Sequence, residues 1–164
     1  MPDILVRDAR DEDAATIAEI YNYYVLNTVV TFDTEPKTTH DRVEWIREHG
    51  PLHPIIVAEQ DGHLMGWASL SPFSNRPAWS LTVELGLYLS PDARQRGIGT
   101  LLMKSIIDRA RSVGHHVVIG QIVSDNEPSL RLGQRAGFRE VGRLLEVGNK
   151  FDRQLDVVIQ ELIL

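Results

Sequence analysis

The chain has 164 residues, with 17 Lys and Arg against 23 Asp and Glu and a net charge of −6. That length suits one domain with a sizeable core, expected to span residues 1–164, and the acidic balance argues against a general nucleic-acid binder. Cysteine is absent, which excludes disulfides, thiolate metal sites and a cysteine nucleophile.

The opening "MPDILVRDARDEDAA" carries acids instead of a basic, apolar leader. No apolar run approaches membrane-spanning length, so a cytoplasmic protein without a membrane partner is expected. "DILVRDA" reads as a short strand, and "DEDAATIAEIYNYYV" as a helix whose positive end is met by acids. Ile17, Ile20, Tyr21 and Tyr24 form its apolar stripe. The irregular stretch "LNTVVTFDTEP" leads to a helix near Thr39–His49, stopped by Gly50 and Pro51. "IIVAEQ" and "HLMGWASLS" flank Asp61-Gly62, a strong hairpin signal. After the loop "PFSNRPAW", the segment "LTVELGLYL" reads as a strand with Leu81, Val83, Leu85, Leu87 and Leu89 on one face as a core stripe. A helix runs from the following glycines to about Val113, capped by Gly114. "HHVVIGQIV" is a strand, "EPSLRLGQRA" a short helix, and "FREVGRLL" and "LDVVIQELIL" are closing strands. This order makes a mixed α/β sheet covered by helices.

Between a strand and a helix lies "SPDARQRGIG". Backbone N–H groups in a helix's first turn have no intrahelical partner, and the helix dipole makes that end positive. Glycines there admit a close ligand, so the turn suits a phosphate or pyrophosphate, with Arg94 and Arg96 adding charge. A capped helix start with surface arginines is the alternative, and spacing alone leaves both open. A Walker loop is absent, and Leu102 occupies the small third position that a Rossmann fingerprint needs.

What does fit is Gln/Arg-x-x-Gly-x-Gly/Ala, present as Arg94-Gln95-Arg96-Gly97-Ile98-Gly99. It resembles the acetyl-coenzyme A signature of the GNAT superfamily of N-acetyltransferases. "TFDTEP", "TVELGLYLSPDARQRGIG", "SDNEPS", "LGQRAGF", "VGNKF" and "LDVV" follow the order and spacing of the phosphinothricin N-acetyltransferase group over nearly the whole chain. The resemblance implies a GNAT fold, a single α/β domain with a central mixed, mostly antiparallel sheet flanked by helices. It implies acetyl-coenzyme A as co-substrate without a metal, a small-molecule amine as acceptor, and a homodimer. It further implies that the amides of Gln95, Arg96, Gly97, Ile98, Gly99 and Thr100 hold the pyrophosphate. The backbone of Leu87, Tyr88 and Leu89 would pair with the pantetheine arm as an added strand would.

Glu84 shares a strand face with Thr82, Gly86 and Tyr88, and stands two residues before a strand glycine that suggests a bulge or close backbone approach. A carboxylate on a mid-sheet apolar segment is costly unless paired or functional. Acetyl transfer needs a neutral amine and hence a base. Glu84 matches the glutamate that serves as general base in the phosphinothricin group; a carboxylate salt-bridged to arginine is the alternative. Asn126 matches an asparagine that contacts the pantetheine arm, and also reads as an N-cap. The position after Leu132, usually tyrosine in the superfamily or histidine in this group, is Gly133. That glycine removes any acid or base there.

Acceptor contacts are implied at Ser74, Asn75 and Arg76, and at Glu84, Leu85 and Gly86. Arg76 suits a substrate carboxylate. Asn149 and Gln154 replace aromatics usual in the group and suggest a more polar pocket wall, while Thr31 and Phe32 are candidates to line the same pocket. His115 and His116 open a strand and face opposite sides, which argues against a shared metal. The expected activity is acetylation of a small amino-acid-like amine of the phosphinothricin or methionine sulfoximine type. Acetylation of a protein N-terminus or another amine, and a non-catalytic acetyl-coenzyme A-binding module, are the alternatives.

Overall fold

Asp61 and Gly62 both take positive φ, 51° and 78°, the backbone that a two-residue hairpin turn requires. They join β2 (Ile55–Gln60) to β3 (His63–Pro72) in antiparallel register. The computed structural model describes residues 3–164, with β1 (Leu5–Asp8), β4 (Thr82–Leu89), β5 (Val117–Val123), β6 (Arg139–Lys150) and β7 (Arg153–Ile163) completing one sheet ordered β1-β2-β3-β4-β5-β7-β6. All adjacent pairs are antiparallel except β4 with β5. Among the described residues, no helix is long and apolar enough to cross a membrane.

Helices α1 (Ala14–Asn27) and α2 (Thr39–His49) pack on one face, around Trp67, Val57 and Tyr88. Thr38 starts α2 with a reciprocal cap: its hydroxyl accepts the Asp41 N–H, and the Asp41 carboxylate accepts the Thr38 N–H. Helix α3 (Ile98–Ser112) covers the other face, where Ile98, Leu102 and Ile106 are fully buried against Ile56, Ala68, Leu70 and Val83. Helix α4 (Glu127–Arg135) lies beyond the cleft edge of β5.

The expected stripe on β4 is shorter than its sequence suggests. Leu81 precedes the strand and is 55% exposed, whereas Val83 is fully buried and Leu85, Leu87 and Leu89 pack on the α3 core. Gly86 marks no bulge, because the β3–β4 register runs unbroken. It marks a close approach: a Cβ there would lie 3.1 Å from the Ser69 hydroxyl and 3.7 Å from the Trp67 ring. His115 and His116 precede β5 and are not part of it.

Candidate active site

The parallel ladder between β4 and β5 holds only at Thr82↔Val117, Val83↔Val118 and Glu84↔Ile119. Past that point β4 stays with β3 as far as Leu89↔Gly66, and β5 stays with β7 as far as Val123↔Val157. Each half-sheet keeps its own partners, and the sheet opens between them. The gap is a cleft of about 390 Å³ lined on one side by Leu85–Leu89 and on the other by Gly120, Gln121 and Ile122.

In the antiparallel β3–β4 pair, Thr82 accepts from the Phe73 N–H and Ser90 donates to the Met65 carbonyl. Antiparallel pairing alternates, so the even residues between them, Glu84, Gly86 and Tyr88, turn their main-chain groups toward β3. Leu85, Leu87 and Leu89 turn theirs toward the cleft. Leu87 and Leu89 therefore stand as expected for strand addition, with Leu85 joining them. The expectation for the Tyr88 backbone is corrected: its amide and carbonyl belong to the β3 ladder, and Tyr88 contributes to the cleft as a wall residue. Its phenol, packed among Tyr21, Tyr24 and Trp67, is pushed up to about 12 by burial and stays neutral.

At the cleft mouth, Gly97 is the N-cap of α3 with φ +79°, a conformation that L side chains resist. The start of α3 then leaves N–H groups without intrahelical partners, an arrangement suited to an anion. Gly99 is different. It is buried, and a Cβ would meet the Leu89 and Leu132 side chains at 3.4 and 3.6 Å, ordinary packing contacts. Arg94 lines the cleft, while Arg96 donates to the Gln60 side chain at 2.6 Å. Gln95 and Thr100 are exposed. Asn126 is the N-cap of α4, accepting the Ser129 N–H, and also lines the cleft.

Glu84 is the last paired residue before the fork. The Gln121 side-chain amide donates to its carboxylate at 3.1 Å, and among the described residues it has no cationic partner, which removes the salt-bridge alternative. Burial lifts its carboxyl above the ordinary glutamate value, and the Gln121 hydrogen bond offsets part of that lift.

Ser74, Asn75 and Arg76 lie in the loop after β3, outside the cleft wall. The Ser74 hydroxyl accepts the Arg76 N–H at 3.3 Å, and Arg76 is exposed. Thr31 is structural: its hydroxyl bonds Tyr21 at 2.8 Å, and its carbonyl accepts from Lys150 at 2.9 Å. Phe32 packs against Gly148, where a Cβ would fall 2.3 Å from the ring's Cζ. Asn149 and Gln154 pair across the β6–β7 hairpin, exposed and away from the cleft wall. His115 donates through Nε2 to the Leu52 carbonyl at 2.6 Å. Among the described residues no cluster of His, Asp or Glu could hold a metal.

Sequence reading missed Tyr24, Thr28, Gln121 and Gln160 as cleft residues. Each comes from an element distant in the chain, and only the apolar stripe of α1 marked Tyr24 at all.

An open strand edge, a cleft beside it and a helix N-terminus at its mouth match an extended ligand that carries amides and then phosphates. Residues 17–138 match the acetyltransferase (GNAT) family, and the chain belongs to that family. It is an acetyl-coenzyme A-dependent acyltransferase. It is 38% identical to a phosphinothricin N-acetyltransferase of Streptomyces coelicolor over 97% of this chain and 95% of that one. It is 34% identical to an L-methionine sulfoximine/L-methionine sulfone acetyltransferase of Salmonella typhimurium, over 96% and 92%. A GNAT superfamily phosphinothricin acetyltransferase from Sinorhizobium meliloti, solved in complex with acetyl-coenzyme A, superposes with a TM-score of 0.92 at 33% identity, covering 98% of this chain and 88% of that one.

Proposed function

We propose that the chain acetylates the amine of a small amino-acid-like acceptor, of the phosphinothricin or methionine sulfoximine type, with Glu84 as general base. The observation that carries this is the Glu84 carboxylate at the fork of the sheet, half-buried and without a cation. The names of the relatives supply the acceptor class.

Leu85, Leu87 and Leu89 bind the pantetheine amides along the open edge of β4, and the first turn of α3 receives the pyrophosphate. Bound acetyl-coenzyme A supplies an activated thioester. Glu84 takes a proton from the acceptor ammonium, directly or through one water, leaving a lone pair to attack the thioester carbon. As the C–N bond forms the C–S bond breaks, a thiol with pKa of about 8.5 leaves acceptably as thiolate, and the second proton shed by the new amide nitrogen passes to that thiolate, directly or through water. This lets the reaction proceed without an acid at Gly133. Arg76, in the loop joined to the Glu84 strand through Phe73 and Thr82, reads the acceptor carboxylate. A homodimer is proposed on the same footing, supported by the edge strand β6, on which Val141, Leu144, Leu145 and Val147 are exposed.

A panel of amino-acid analogues, assayed by release of free thiol, tests the acceptor class. Transfer to α-amino acids with polar side chains is expected. Coenzyme binding with no transfer to any amine would replace this reading with a non-catalytic binding module.

A further inference from the structure

The phenol of Tyr24 reaches from α1 to the open end of β4, where it donates to the Leu89 carbonyl at 2.6 Å. Its oxygen in turn accepts an N–H of Arg94 at 3.3 Å. The Arg94 guanidinium lies over the rings of Tyr23 and Tyr24, 5.6 and 5.4 Å from their centroids. Tyr24, Leu89 and Arg94 all line the cleft. No carboxylate among the described residues pairs with Arg94, so its charge is held in place by tyrosines and left available to an anion.

The Leu89 carbonyl is one of the groups that the β3–β4 alternation turns into the cleft. One hydroxyl therefore occupies the last acceptor of the free β4 edge and fixes the cation that follows it. The edge open to an added strand runs from Leu85 to the Leu89 N–H. Beyond Leu89 the cleft offers charge and helix N–H groups instead of a strand edge.

We propose that Tyr24 is a positioning residue that marks where amide recognition ends and phosphate recognition begins, acting through Arg94. The proposal rests on the coenzyme reading of the cleft. A guanidinium already stacked and hydrogen-bonded loses little freedom when it meets an anion, whereas an unrestrained arginine loses much more.

The test is titration calorimetry of coenzyme A with Tyr24→Phe, alongside initial rates with S-acetylpantetheine, which keeps the amides and has no phosphate. We expect the coenzyme A Kd to rise about tenfold, the scale of one lost hydrogen bond to a charged group, with a flatter dependence on salt. The kcat/KM for S-acetylpantetheine should fall by a much smaller factor than that for acetyl-coenzyme A, because it lacks the phosphates that Arg94 would meet. Arg94→Ala should show the same pattern, and adding Tyr24→Phe to it should change little. An unchanged Kd in Tyr24→Phe, or equal losses for both donors, overturns the proposal. If Tyr24→Phe does not fold, Arg94→Ala decides by the same comparison of donors. A parent chain that binds no coenzyme A would instead overturn the coenzyme reading itself.

Discussion

Gln160 stands in the space that a side chain at position 133 would fill: a Cβ built on Gly133 falls 2.1 Å from the Gln160 Oε1. Gln160 comes from β7, is 1% exposed, and donates through Nε2 to the Leu130 carbonyl at 3.1 Å. The glycine in α4 is thus the complement of a buried glutamine, which accounts for the departure from tyrosine or histidine at that position. Gly→Ala within a helix ordinarily gains roughly 0.5–1 kcal/mol. Here Gly133→Ala must displace Gln160 and break its hydrogen bond, worth about 1 kcal/mol, besides the overpacking. We expect a net loss of about 1 kcal/mol in denaturant unfolding. In the background of Gln160→Ala the same change should become neutral or stabilising, a coupling that a double-mutant cycle reads directly. Additive effects would show that the two residues do not share this space.

The two glycines of the turn that opens α3 should separate. Gly97 holds φ +79° and a Cβ there meets nothing. Gly97→Ala therefore pays for left-handed backbone, about 1 kcal/mol, and tilts the first N–H groups of α3, so coenzyme A affinity should fall with stability. Gly99→Ala makes only ordinary contacts with Leu89 and Leu132 and should change neither. Gly99→Val adds methyls between those leucines and should lose about 1–3 kcal/mol of stability. Chemical denaturation and calorimetric titration of the three variants distinguish these outcomes.

These glycines also show how far the sequence could be read. The strand-to-helix turn was legible because glycine and arginine cluster there, and the Asp61-Gly62 hairpin because its turn chemistry is local. The helix over Thr39–His49 was legible from its Gly50-Pro51 stop. Nothing local told Gly97 from Gly99, since one is set by backbone dihedral and the other by packing against Leu132 across the fold. The opposite wall of the cleft was illegible for the same reason. Gln121 reaches Glu84 across 37 positions of sequence, and Tyr24 reaches Leu89 across 65. Strand β6 was read too short, because its exposed Leu144, Leu145 and Val147 follow no clean alternation and the ladder to β7 slips between Leu144 and Gly148.

Arg76 is exposed, and its backbone N–H donates to the Ser74 hydroxyl. If its guanidinium grips the acceptor carboxylate, Arg76→Ala should raise KM for α-amino acid acceptors about tenfold or more, in keeping with a charge-assisted pair. Decarboxylated analogues should be acetylated with parental kinetics, and stability should not move, because no fold contact of the side chain is lost. Steady-state kinetics on matched acceptors measures this. Equal effects on both acceptor types would remove Arg76 from carboxylate recognition.

Gly133 supplies no titrating group, so the proposed chemistry rests on Glu84. Burial raises its carboxyl above the ordinary glutamate value despite the hydrogen bond from Gln121. As a base it works only when deprotonated, so kcat should climb as pH rises through that elevated value and fall as pH drops below it. Glu84→Gln keeps the shape and removes the base, and should cost on the order of 10²–10⁴ in kcat. Coenzyme A affinity should barely change, because the turn proposed to hold the pyrophosphate begins beyond Leu89 at the other end of the strand. Gln121→Ala should do the reverse of a simple loss: without its N–H the carboxylate loses stabilisation, its pKa rises further, and the acidic limb moves to higher pH while the plateau largely survives. A Glu84→Gln enzyme that kept near-normal kcat and the parental acidic limb would assign that limb to the acceptor amine and the proton transfer to a water chain.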